Sequence, residues 1–464
     1  MSIAWSILGF VIVMGLIVTI HEWGHYQVAR WFNIKVVKFS IGFGKPIYSR
    51  QGKETEFVIS QFPLGGYVKF ADEREGLVEP HDLKRAFNRQ SVYKRFAVVV
   101  AGPLVNLLFA WLVFTAMYMI GVSGLKPLTQ SFKVDSPLYQ SLQNSQEQFE
   151  SNQAWSVSEV DGTAVYSWQM VHQQLLQSLA VDKKNIEILF TQPENNRQIY
   201  LTNVSLSTLD INNPGQGWLQ QLGFVPTRPI VPAVLGKIIV DGPAMKAGLS
   251  EGDKIITIDE KPVSNWQDFV KVVQANPQTQ VNVEFERSGV IYHQSVLLGM
   301  SQLKSGDAVG VMGVGVLIDE ELLETYSVTI AYGLFEALKQ GYNRSEDLVV
   351  MSLTMLKRML IGDISTDNLS GPISIAQFSG QALQTGLIAF LSLVGLLSLS
   401  IGILNLLPIP ILDGGHLVYY LIEMIKGSPV GEQVMVVGQA LGLMIIIGLT
   451  FLALFNDLIR ISHG

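Results

Sequence analysis

Residues Ile3 to Ile20 carry no charged side chain and run straight into His21-Glu22-Trp23-Gly24-His25. An apolar stretch of that length can cross a bilayer. Lipid offers no hydrogen bonds, so the backbone there must satisfy itself as a helix. The HExxH spacing then sets His21 and His25 one turn apart on the same face, where both can bind one zinc ion. Glu22 falls beside that position, placed to take a proton from zinc-bound water. Two histidines and a glutamate are costly at such depth unless they have a function. The segment is therefore expected to run water-consuming chemistry inside a membrane.

Composition agrees with that class. Charged residues make up 15% of the chain and mean hydropathy is +0.31, whereas soluble domains carry about 25% charge. The apolar excess falls in four blocks, roughly Ile3–Val28, Phe96–Val122, Gly386–Leu407 and Val434–Phe455, each a span candidate. The loop Arg30–Arg95 holds 13 of the 32 Lys and Arg residues, which places it in the cytoplasm and the N-terminus outside. Alternation then puts residues 123–385 and the C-terminus outside, and the 408–433 loop inside. The first block lacks the basic n-region and small-residue cleavage site of a signal peptide. A net charge of −7 gives no basic footprint for nucleic acid. Cysteine is absent, so disulfides are excluded and zinc ligands must be nitrogen or oxygen.

Within the basic loop, Ile41-Gly42-Phe43-Gly44 and Glu56–Phe70 read as β runs broken by Pro63 and Gly65-Gly66, as in a hairpin. An unpaired strand is costly in lipid, so a paired element facing a protein-lined cavity is expected. In the outer segment, Val160–Gln169 reappears 98 residues later as Ile258–Gln267, with shared apolar, Asp and Trp-Gln positions. Two copies of one domain of about 90 residues follow. The second copy adds Gly242-Pro243-Ala244, Ala247-Gly248-Leu249 and Gly252-Asp253-Lys254-Ile255, and on these it resembles a PDZ domain. Such folds offer an open strand edge to an extended peptide or a free C-terminus. The first copy reads as PDZ through the repeat. Between Tyr326 and Ile361 apolar residues recur at helical spacing around Lys357 and Arg358, as in a helix lying along the membrane surface.

Catalytic zinc needs a third protein ligand and an open position. The candidate sits in Asn405-Leu406-Leu407-Pro408-Ile409-Pro410-Ile411-Leu412-Asp413-Gly414-Gly415-His416, where Pro408 and Pro410 stop the third span and impose extended backbone. Asp before a helix is usually an N-cap. Asp413, however, follows an unbroken apolar-and-proline run without a nearby basic partner, which favours a ligand. Gly414-Gly415 would let a metal or a neighbouring helix approach closely. His416 is a competing ligand. No metal role is expected of His81, His172, His293 or His463, which lie in the loop, the repeats and the C-terminus.

HExxH in the first span together with an NxxPxPxLDGGH segment late in the chain resembles the site-2 protease family of intramembrane zinc proteases. The likeness extends over essentially the whole sequence. It implies Zn2+ held by His21, His25 and Asp413, with Glu22 as catalytic acid and base. It assigns Asn405, Pro408 and Pro410 to holding the substrate extended. Gly42, Phe43, Gly44, Leu64, Gly65, Gly66 and Tyr67 are assigned to β elements that meet the substrate. Asn368–Pro372 is also family-like.

The expected fold class is a polytopic α-helical membrane protein with four transmembrane helices, a membrane-associated β element and two tandem PDZ (α+β) domains. Its expected order is a first span to residue 28, the β-bearing loop 29–95, a second span 96–122, PDZ-like units 123–220 and 221–310, and surface helices 311–385. A third span 386–410, the Leu-Asp-Gly loop and short helix 411–433, and a fourth span 434–457 complete it. The implied activity is hydrolysis within the transmembrane segment of a single-span protein, of pre-cleaved anti-sigma-factor type, and of remnant signal peptides. The implied location is a bacterial inner membrane, with the active site toward the cytoplasm and the PDZ domains in the periplasm. Lipid and peptide C-termini at the second PDZ domain are the other expected partners. The alternative is a catalytically inactive membrane PDZ scaffold or chaperone, against which the intact Glu22 beside two histidines argues.

Overall fold

The charge-free opening stretch forms helix α1 (Ile3–Trp31), and three further helices are long and apolar enough to cross a membrane: α2 (Val92–Ile120), Leu387–Leu406 and Glu432–Arg460. This is a computed structural model, and it describes residues 3–74, 76–145, 149, 154–209, 217–227, 230–302, 308–317, 319–363, 365 and 369–463. α1 and α2 cross at glycines. A methyl added at Gly24 would lie 2.7 Å from the Ala101 carbonyl oxygen, and one at Gly102 only 2.2 Å from His25 Nε2. Beyond that crossing, Val13, Ile17, Val113 and Val394 join the first three spans in one buried cluster. The fourth span is different, with 6% of its apolar window buried. The third helix ends at Leu406, short of the expected 410, because Pro408 cannot continue it and Leu407 is already extended.

Between α1 and α2 the basic loop folds as β1 (Val36–Gln51) and β2 (Glu56–Phe70), paired antiparallel. The first half of β1 is flanked on both sides: Phe39 by Val68 and Phe57, Ser40 by Tyr67 and Val58, Ile41 by Gly66 and Ile59. Its second half, Tyr48 to Gln51, pairs with Ile59 to Glu56. Each strand therefore doubles back on itself. The break expected at Pro63 and Gly65-Gly66 is instead a bend in a continuous strand, matched in β1 by Gly42 and Gly44 at φ of 90° and 92°. The bend leaves Gly66–Phe70 at one side of the element, against α1.

α2 leads into Val122–Leu125, which pairs antiparallel with Ser327–Ile330, so the outer segment enters and leaves through one ribbon. Two sheet-and-helix units lie between. The first unit orders strands 198–205, 185–191, 155–160, 128–132 and 224–226, with helix Trp168–Ala180 and an aromatic core containing Trp155, Phe190, Trp218 and Phe224. The second orders 261–262, 254–258, 280–287 and 290–297, with helix Trp266–Gln274 over a core rich in Ile and Val. Strand Phe224–Pro226 pairs with Leu128–Phe132, and Val314–Val316 with Leu235–Ile238. The units therefore extend past the expected limits at 220 and 310, because each needs a late strand to complete its pairing.

The sequence repeat is also a repeat of geometry. Asp161 and Asp259 adopt φ of 51° and 46°, and Gly162 and Glu260 follow at 75° and 63°, the paired positive φ of a type I′ hairpin turn. Each Asp carboxylate accepts a backbone N–H from the next strand, Glu187 at 3.1 Å and Asn282 at 2.8 Å. Ser167 and Asn265 then cap the helices that begin at Trp168 and Trp266. A second correspondence escaped the sequence reading: Asp135-Ser136-Pro137 and Asp241-Gly242-Pro243 each open a helix, with the Asp at φ of 66° and 60°.

The helix expected on the membrane surface spans Leu334–Leu360 and packs along α2. Trp111 donates to the Leu338 carbonyl at 2.9 Å, and Leu348 is buried with Ala110, Phe114 and Leu399. Arg358 reaches the first outer unit at the Leu179 carbonyl, 2.7 Å away. Gly371-Pro372 opens the helix Pro372–Thr385, and Asp457 of the fourth span accepts the N–H groups of Gly371, Ile373 and Ser374 at 2.9–3.0 Å. One span thus caps the helix that precedes another. Asn368 lies outside the described residues.

Candidate active site

α1 delivers His21, Glu22 and His25 to one buried spot, at 8%, 7% and 8% exposure. His21 Nε2 and His25 Nε2 are 3.2 Å apart, and Asp413 Oδ2 lies 3.1 Å from the first and 3.5 Å from the second. Tetrahedral zinc with bonds of about 2.0–2.2 Å separates its ligand atoms by about 3.3–3.6 Å. The triangle of two imidazole nitrogens and one carboxylate oxygen fits that ion in size and in donor type. Among the described residues, these three form the one His/Cys/Asp/Glu group able to hold a metal.

The ring orientations come from α2. His25 Nδ1 is 2.8 Å from the Val98 carbonyl oxygen, and an N–H donated there leaves Nε2 with a free lone pair. Gly102 supplies the space that His25 needs, and Pro103 cannot donate back into the helix at this level. His21 Nδ1 faces the side-chain amide of Asn106 at 3.3 Å.

Asp413 arrives from the other end of the chain. Leu412 is the N-cap of helix Asp413–Lys426 and Asp413 its first residue, so its carboxylate faces the histidines instead of closing its own helix. Gly414 and Gly415 are what the preceding loop needs: added methyls would sit 2.1 Å from the Leu407 carbonyl oxygen and 2.5 Å from that of Ile409. The close neighbour expected at these glycines is thus the chain's own proline loop. Helix Asp413–Lys426 is tied back to α2 by Arg95 and Glu423, 2.7 Å apart, with Arg95 over the Tyr420 ring at 5.0 Å.

A cavity of about 650 Å³ opens on this centre. His21, Glu22, His25, Asn405, Asp413 and His416 line it, with Phe43, Gly65, Gly66 and Tyr67 of the β element opposite. Gly66 is pressed against the site, since a methyl there would lie 2.9 Å from Glu22 Cγ and 2.7 Å from the Ser40 carbonyl oxygen. Gly42, Gly44, Pro408 and Pro410 are not among the lining residues. The two glycines shape the bend of β1, and Pro410 lies against Gly442 of the fourth span. Leu64 belongs to β2, and its side chain lies outside the described residues. His416 stands edge-on to Tyr419 and apart from the ligand triangle; burial pushes its imidazole below the ordinary value. His81 pairs with Glu79 in the loop, His172 stacks near Trp218, and His293 sits on an outer strand. The sequence reading missed Val98, Gly102 and Asn106. Gly102-Pro103 and Asn106 are helix breakers and a polar side chain within a span, and that anomaly was the available signal.

The model of peptidase family M50 matches residues 9–449. A Haemophilus influenzae relative named regulator of sigma E protease is 35% identical over 99% of this chain and the whole of that one. The Escherichia coli regulator of sigma-E protease RseP is 34% identical with the same coverage, as is a Vibrio cholerae protein that carries a zinc metalloprotease name. A PDZ domain of an SdrC-like protein from Listeria monocytogenes covers 20% of this chain and 94% of its own at 19% identity, with a TM-score of 0.17, too distant to assign a fold.

Proposed function

The chain belongs to peptidase family M50, a metalloprotease of the site-2 type, and we propose that His21, His25 and Asp413 hold its zinc ion. Bound there, zinc supplies Lewis acidity toward a scissile carbonyl and toward water. Glu22 takes the proton of the attacking water on its carboxylate and returns it to the leaving amine. Among the described residues no hydrogen bond or ion pair engages that carboxylate, which suits it to this exchange.

The substrate is a transmembrane segment of a single-span protein. A helical segment has its carbonyls bonded within itself, so it must unwind before it can be cut. Gly66–Phe70, with Phe43 stacked on its Tyr67, offers a strand edge whose hydrogen bonds replace those lost on unwinding. Asn405 meets the extended chain in the cavity, and Pro408 and Pro410 act by shaping the loop that carries Asp413. The outer units act as tandem PDZ domains on the periplasmic side of an inner membrane, the second taking peptide C-termini. Together they admit substrates whose bulky outer part has already been removed. Relatives named as regulators of sigma E support a substrate of anti-sigma-factor type, with remnant signal peptides as a further class.

The observation that carries this reading is the ligand triangle of 3.1, 3.2 and 3.5 Å beside Glu22 in a cavity bordered by a strand edge. Cleavage of a single-span membrane reporter by purified protein tests it, with zinc counted in each variant. Glu22→Gln is expected to keep zinc and lose cleavage by about 10²–10⁴-fold. Asp413→Ala should lose both. Cleavage that survives Glu22→Gln would end the mechanism.

A further inference from the structure

Asn106 is fully buried in α2, and its side-chain oxygen has no hydrogen-bond partner among the described residues. Its side-chain nitrogen stands 3.3 Å from Nδ1 of His21. The other ring nitrogen of His21, Nε2, is the one turned toward Asp413 and His25. With Nε2 given to a metal, the neutral imidazole carries its proton on Nδ1. An N–H on Nδ1 opposite an NH2 group would set two donors face to face while a buried oxygen goes unused. A half-turn of the amide about Cβ–Cγ exchanges its two isosteric ends and brings that oxygen to the proton.

We propose that Asn106 is a positioning residue whose side-chain oxygen accepts the Nδ1–H of His21 and holds the ring with Nε2 toward the metal. The inference rests on the zinc reading of the previous subsection. It makes the two histidines equivalent in their surroundings. His25 donates to the carbonyl of Val98, His21 to the side chain of Asn106, and both acceptors belong to one helix. Ser398 of the third span donates to the Asn106 carbonyl at 2.9 Å, which fixes this turn of α2 from its far side. Outer acceptors of this kind set the tautomer and basicity of a ligating histidine and change metal affinity by about 10–100-fold when removed.

The test uses the full chain in detergent, with zinc release to a chelator as the readout and the d–d spectrum of the cobalt-substituted protein beside it. Asn106→Ala is expected to weaken zinc retention about 10–100-fold and to shift the cobalt spectrum. Asn106→Leu keeps the volume but offers no acceptor and should fall with the alanine, whereas a purely packing role would leave it beside the parent. Asn106→Asp keeps both shape and acceptor and should retain clearly more zinc than either. Wild-type retention in Asn106→Ala would overturn the proposal, as would an Asn106→Asp variant that falls as far as the alanine. Zinc-free parent protein, or a His21→Ala variant that keeps its zinc, would instead remove the metal reading beneath it.

Discussion

The two halves of the candidate metal centre are built in opposite ways. The histidine half is a single helix turn, and its geometry follows from i, i+4 spacing plus contacts from α2: the Val98 carbonyl, the space at Gly102 and the Asn106 amide. The aspartate half is a loop end. Asp413 is placed by a proline-bearing segment folded tightly on Gly414 and Gly415, and by the Arg95–Glu423 tie to α2. A helix carries its ligands as part of a regular lattice, whereas a loop has to be pinned from several sides. The histidine half should therefore be intolerant of added volume and the aspartate half more forgiving.

Three substitutions probe that contrast. Gly102→Ala should have the largest effect, because its methyl would sit 2.2 Å from His25 Nε2 while Nδ1 is held by Val98. Near-complete loss of bound zinc and a fall in reporter cleavage of about 10²-fold or more are expected. Gly414→Ala places its methyl 2.1 Å from the Leu407 carbonyl oxygen, so loop backbone has to shift, whereas at Gly102 the atom displaced is the metal-facing nitrogen of His25 itself. A loss of about tenfold in cleavage, with zinc partly retained, fits the contrast. Equal damage from both substitutions would show that the loop is as rigid as the helices. Arg95→Met should have the smallest effect, since it strands Glu423 at a site still 15% exposed. Thermal unfolding should register about 1–3 kcal/mol, and the double variant Arg95→Met/Glu423→Leu should recover most of it.

The histidine half was legible because its code is local: five consecutive residues on a charge-free helix state both spacing and depth. The spans were legible for the same reason. Asp413 was legible as a candidate ligand from its setting, an acid after an apolar-and-proline run without a nearby basic partner, although the same position before a helix is usually an N-cap. What the sequence did not disclose depends on residues meeting across the chain. The strand β1 pairs on both of its sides, which alternation of side chains cannot reveal, and Pro63 read as a break where the sheet in fact bends. The limits of the outer units were missed because each closes with a strand that arrives after the apparent end of its repeat. Asn106 lay in plain view as a polar residue in an apolar block, but its partner is 85 residues away.

Almost the whole length of the chain separates His21 from Asp413. During synthesis the first span, with Glu22 and both histidines, enters the membrane long before the segment bearing Asp413 leaves the ribosome. Until then the candidate centre lacks Asp413, so a nascent chain carries Glu22 and the two histidines without the carboxylate that faces them in the finished fold. The proposed centre is thus completed only after most of the chain has been made, an order set by the sequence itself.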